Sequence, residues 1–131
     1  MAVPEKHVIV MPLAQATAGS NDTYVTHWPF GAKGTLESAA YSCATAITAH
    51  DTNYADLSVE LGGTEVASEQ TTTGDTGNIA ALDLEVLALT ASGPSIEVSE
   101  GESIEALVVK AGTGVAVLGS IRLIFSIDRE A

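Results

Sequence analysis

In the last third of the chain, Val115, Val117, Ile121, Leu123, Phe125 and Ile127 all fall on odd positions, with Gly119 interrupting, while Ser120, Arg122, Ser126 and Asp128 take even ones. Successive side chains of a pleated strand point to opposite faces, so this period of two predicts a strand with one buried side. Gly119 is read as a bend or bulge in it. Just upstream, "SIEALVVKAGTGVAV" reads as a strand, a glycine-containing turn and a return strand, hence a hairpin. In the middle of the chain Leu57, Val59 and Leu61 alternate with Asp56, Ser58 and Glu60 before Gly62-Gly63. Glycine accepts positive φ without steric cost, so that pair predicts a second hairpin. "SIEVSEGES" sets Ile96 and Val98 inward ahead of a turn near Gly101, and "GTLESAAYSCATAIT" reads as one longer strand. "HVIVMPLA" and "TYVTHW" are shorter candidates, and Pro12, which has no amide to donate, makes the first an edge strand or an extended arm.

The segment "NIAALDLEVLALTA" is ambiguous: it holds good helix formers behind Asn78, a possible N-cap, yet Leu82, Leu84 and Val86 alternate with Asp83 and Glu85. Bounded by "TTTGDTG" and "ASGP", it is read as a strand. The sum is about eight or nine short strands with turn signals roughly every 8–12 residues and no convincing crossover helix. The expected fold is all-β: an antiparallel, jelly-roll-like sandwich over residues 23–131, preceded by an extended, partner-contacting arm over 1–22. The Cys, Trp and Cys spacing of antibody-like domains is absent.

Composition sharpens this. A chain of 131 residues is one domain, able to bury a core without disulfide or metal. Only 5% is aromatic, so the core is built from aliphatic and small side chains. Seventeen acidic against five basic residues give a net charge of −12, and Lys6, Lys33, Lys110, Arg122 and Arg129 are scattered, which argues against nucleic acid and anionic membrane as partners. No run of ~20 apolar residues exists. "MAVPEKHVIVMPLAQ" lacks the pattern of a signal peptide, so the chain is expected to be made in a cytoplasm. Cys43, the single cysteine, lies in a small apolar run and is read as a packed hydrophobe.

Candidate chemistry adds little. Asp75-Thr76-Gly77 is the triplet that carries the catalytic carboxylate of aspartic proteases, where two such groups share a proton. Here it follows polar "TTTG" instead of a buried apolar strand, and no second copy exists, so it is read as turn chemistry. His50, Asp51 and Asp56 are metal-ligating types at a spacing matching no familiar calcium or zinc site, and Asp51, Thr52 and Asn53 equally suit a turn before a strand. No Gly-x-Ser-x-Gly elbow accompanies the serines and histidines. Neither a catalytic residue, a metal site, a cofactor nor a small-molecule ligand is therefore expected. Trp28-Pro29-Phe30 is the one cluster of large aromatics, either a contact platform or the closure of one end of the core.

Taken together, "HWPFGAKGTLESAAYSCATAITAHDTNYADLSVEL" and "SIEVSEGESIEALVVKAGTGVAVLGSIRLIFSI" resemble the head-decoration, minor-capsid or head-fibre β-sandwich proteins of tailed bacteriophages. The features that carry the resemblance are Trp28 to Phe30, Leu36 to Ile47, Asp51 to Tyr54, Glu100 to Glu102 and the hairpin tip Gly112 to Ala116, over roughly residues 25–128. The resemblance implies a structural virion protein, a homotrimer on the capsid exterior that binds the major capsid protein and cements neighbouring capsomers. The partner-contacting residues expected are Val8, Ile9, Val10, Met11 and Leu13 in the arm, an apolar segment broken by Pro12 that lies outside the resemblance, with Trp28 and Phe30. The alternative is a receptor- or carbohydrate-binding module of a head or tail fibre, using Trp28 and the hairpin tips.

Overall fold

The structure, a computed structural model, describes residues 2–15 and 21–130, with side chains over 5–14 and 21–127. Nine strands follow one another: β1 (Ala2–Gln15), β2 (Asp22–His27), β3 (Gly34–Cys43), β4 (Tyr54–Leu61), β5 (Thr64–Gln70), β6 (Leu84–Leu89), β7 (Glu97–Val98), β8 (Ser103–Ala111) and β9 (Val117–Glu130). Their order in the sheet is β1-β9-β3-β6-β5-β4-β8-β2, with β7 appended to β3, and every pairing is antiparallel. The sheet folds over at β6, whose start pairs with β3 and whose end pairs with β5. A first layer, β1-β9-β3-β6, thus covers a second, β5-β4-β8-β2, in a nearly closed sandwich whose two edge strands, β1 and β2, meet at a seam.

Alternation explains most of this. On β9 the odd positions Val117, Ile121, Leu123, Phe125 and Ile127 are buried, and on β4 Ala55, Leu57, Val59 and Leu61 are. Gly62 and Gly63 turn β4 into β5 with φ of 59° and 87°, as the hairpin reading requires. Residues 84–89 are strand, which resolves the helix-or-strand ambiguity in favour of strand.

Two readings need correction. The expected hairpin across "KAGTGVAV" does not form, because β8 pairs with β4 and β2 while β9 pairs with β1 and β3. The chain crosses between layers through residues 112–116, where Gly112 and Gly114 take φ of 60° and 69°. The two aliphatic faces therefore meet across the core instead of lying side by side. The long strand expected from Gly34 stops at Cys43, and Ile47 rejoins only as a single bridge to Ile79. Within it Glu37 is extruded, the register with β9 shifting between Leu36 and Ser38.

Over Ala2–Gln15 the segment expected as an arm is an edge strand, paired with β9 in unbroken register from Ala2↔Glu130 to Gln15↔Val117. This is the edge-strand alternative that Pro12 raised. Residues 16–20 of that segment lie outside the described residues.

Gly119 is held not by a bulge but by close approach. It pairs with Leu13 and Cys43 without a register shift, its φ is 149°, and a Cβ there would collide with the Ser42 carbonyl oxygen. Among the described residues the buried side-chain polar atom without a partner is Arg122 Nε, and those within the core are satisfied. Tyr41 Oη donates to the Leu118 carbonyl at 2.6 Å, and burial pushes this phenol above its ordinary pKa. Thr71, fully buried, accepts the Ala55 amide on its Oγ1 at 2.9 Å while its own amide donates to the Ala55 carbonyl at 2.9 Å.

Candidate functional site

The protease-like triplet is built as a turn. Thr76 and Gly77 amides donate to the carbonyls of Gln70 and Thr72, and Gly77 has a φ of 65°. Asp75 Oδ2 accepts the Gln70 amide at 2.7 Å. A second carboxyl does meet it: Glu69 at the end of β5 hydrogen-bonds to Asp75. Burial first, then that shared hydrogen bond, holds Glu69 up to about 7. Asp75 is held below the usual carboxylate range, chiefly by the same bond and then by the Gln70 amide. As pH falls, Glu69 is therefore the first of the two to take a proton. Glu85 nearby is also pushed up, first by burial and then by the charges of Asp75 and Asp83. Asp75 lies exposed on its turn, and Glu69 Oε1 accepts the Ala88 amide at 3.3 Å where β5 and β6 part. What the pair does in the fold is close that gap.

His50, Asp51 and Asp56 likewise serve the local structure, the first two by accepting backbone amides and Asp56 by accepting from a side chain. His50 Nδ1 accepts the amides of Thr52 and Asn53 at 3.0 and 2.8 Å. Asp51 takes the amide and hydroxyl of Thr73, which lowers its pKa, and Asp56 accepts from Gln70 Nε2 at 3.3 Å. Among the described residues no three His, Cys, Asp or Glu side chains are grouped to hold a metal. Cys43 is buried, its Sγ donating to the Thr45 carbonyl at 2.8 Å.

The proposed contact residues divide by parity. Val8 and Val10 face solvent, Ile9 is half-buried, and Met11 and Leu13 belong to the core. Trp28 is 1% exposed, packed on Phe125 and Phe30 at ring distances of 4.8 and 4.9 Å, with its Nε1 donating to the Ala32 carbonyl. Of the two readings open for this cluster, closure of the core is what the structure shows for Trp28; Phe30 is half-buried against it and against His7. Between the edges β1 and β2 runs an open groove of about 640 Å³, bridged where the Ala14 amide donates to Tyr24 Oη at 3.2 Å.

The feature that strand parity could not place from sequence is the contrast between the two outer faces. Pairing across the first layer sets Val10, Arg122, Ala40 and Val86 in one row over four strands, with Pro12, Ser120, Ser42 and Leu84 in the next. Val10 is 54% and Val86 62% exposed, and Leu82 beyond them is 88% exposed at a φ of 71°. A leucine in that conformation, held there by backbone bonds of residues 82 and 83 to Cys43, is uncommon. Glu37, extruded at the bulge, is paired with Lys6, and Asp83 and Glu85 flank Leu84 in the chain. On the second layer the outward row is Val25, Glu105, Glu60 and Glu65, with Asp56 two positions along β4 from Ser58 and four from Glu60. The first face is largely aliphatic, with the Arg122 guanidinium and the Lys6–Glu37 pair as charges on it; the second is richer in carboxylates around Val25.

No protein-family model, no curated protein and no solved structure matches this chain.

Proposed function

We propose that this protein is a structural virion component, a capsid decoration protein that binds the outer surface of a bacteriophage head and stabilises contacts between capsomers. The observation that carries the reading is the contrast between its outer faces. In a chain of net charge −12, one four-stranded face is largely aliphatic and has Glu37 paired with Lys6, while the opposite face gathers Asp56, Glu60, Glu65 and Glu105. A protein that coats a shell needs that asymmetry: one side to adhere, the other to stay hydrated and keep the free protein soluble. The resemblance of residues 25–128 to head-decoration proteins supports the same reading.

Size fits as well. Four strands ~4.8 Å apart and seven residues at ~3.3 Å give the adhesive face a footprint of about 450 Å². A stable binary interface buries about 800 Å² per partner, so one such contact is weak. On a lattice, weak contacts suffice when several are made together: a trimer bridging capsomers binds its second and third sites intramolecularly. Linkage then stabilises the decorated shell. Of the two contacts that the fibre-module alternative uses, Trp28 and the hairpin tips, Trp28 is buried and gives that reading no support. Mixing the purified protein with undecorated expanded capsids tests the proposal: saturable cosedimentation is expected, and its absence at micromolar protein overturns it.

A further inference from the structure

Within the adhesive face, Arg122 stands apart. It sits on β9 between Val10 of β1 and Ala40 of β3, with Val86 next in the row. Its Nε is buried and has no hydrogen-bond partner, and no ion pair involves it among the described residues. Nε is too enclosed for an outside group to reach, so an acceptor brought by a partner would meet the terminal guanidinium nitrogens, which are not buried. The residue as a whole is only half-buried, so its charge is accessible from outside.

Resting on the capsid-decoration reading, we infer that the outer face of β1-β9-β3-β6 docks onto a protein surface that presents one carboxylate within an aliphatic surround, and that Arg122 is its ion-pair partner. Complementarity selects this occupant. The aliphatic rows contribute area without direction, and the guanidinium fixes position, because its planar donors match a carboxylate bidentately. Enclosure by aliphatic side chains on both sides shields the pair from solvent and screening ions. A second copy of this chain fits worse. A two-fold axis through Arg122 would set it opposite its own copy, and Glu37, extruded from β3, is already engaged by Lys6. A nucleic acid or anionic membrane would meet only Arg122 and the ion-paired Lys6 on a chain of net charge −12.

The test is cosedimentation of the full-length protein with undecorated expanded capsids, comparing wild type, Arg122→Gln, Val86→Glu and, on the opposite face, Glu105→Gln, each checked for a wild-type circular dichroism spectrum. Arg122→Gln is expected to weaken binding at least ~10-fold, since it leaves the partner's carboxylate buried and unpaired. Val86→Glu places a second carboxylate against the first and weakens it as much or more, while Glu105→Gln stays within about 2-fold. Wild-type binding with Arg122→Gln and Val86→Glu both unchanged overturns the docking face and leaves the decoration reading intact. No wild-type binding overturns that reading, and this inference falls with it. Sedimentation velocity of the protein alone supplies the remaining outcome: a dimer that Val86→Glu dissociates assigns the face to a second copy and overturns the capsid partner.

Discussion

Replacing Arg122 by methionine should make the isolated protein more stable. A buried donor left without an acceptor costs about 1–3 kcal/mol relative to its solvated state. Only Nε is enclosed here, the residue being half-buried overall, so the low end applies and the expected gain is about 1 kcal/mol. Methionine keeps most of the aliphatic stem that lies in the row with Val10, Ala40 and Val86, so packing is retained. Arg122→Ala, which removes the stem as well, should instead lose about 1 kcal/mol. In a chain of 131 residues a gain of 1 kcal/mol raises Tm by about 4 °C. Urea titration at equilibrium gives the free energy and a calorimetric scan gives Tm. A loss of 1 kcal/mol or more in Arg122→Met would mean that Nε is well satisfied in the free protein, and its reading as an orphaned donor would fail.

Three further outcomes are expected. Thr71→Val orphans the buried Ala55 amide and should cost about 1–3 kcal/mol in urea unfolding, against near neutrality if that hydrogen bond is dispensable. Gly119→Ala drives a Cβ into the Ser42 carbonyl at a φ of 149° and should destabilise the protein by more than about 2 kcal/mol; a change under 0.5 kcal/mol would show that β3 and β9 separate easily there. Glu69 binds its proton more tightly when folded, with a pKa of about 7, than when unfolded, so its contribution is full below about pH 4.5 and is lost as pH rises through 7. Glu85 acts in the same direction, while Asp75, shifted down, contributes above its unfolded value and is lost in stronger acid. The urea midpoint should accordingly be lower at pH 7.5 than at pH 5, and Glu69→Gln should flatten that slope; an equal slope in the variant contradicts the assignment of the proton.

Alternation made the fold class legible, because burying one side of a strand leaves a mark every second residue. The glycine pair at 62–63 marked its hairpin for the same local reason. Pairing partners were less legible. "KAGTGVAV" carries the glycines of a tight turn, yet those residues let the chain cross between layers, and a crossover and a hairpin both need positive φ. The β6 segment is the instructive case. Leu82, Leu84 and Val86 were rightly seen to share one side, but that side faces solvent, and Leu87 is the one in the core. Periodicity reports which residues share a face, not which face is covered. The functional reading turned on this, since the outward aliphatics of β6 align with Val10 and Arg122 only through pairings distant in sequence. The chemical triplet at Asp75 was legible as a turn; its meeting with Glu69 was not, because β5 delivers that carboxyl from a side chain whose neighbours predict only a strand.

The most direct measurement is an electron cryomicroscopy reconstruction of expanded capsids saturated with this protein. The account predicts density in which Val10, Arg122 and Val86 lie against the shell, Arg122 within about 3 Å of a capsid carboxylate, and Glu60 and Glu105 point to solvent. Protein bound with its carboxylate-rich face inward, or held only by loop tips while the aliphatic rows stay open to water, would contradict it.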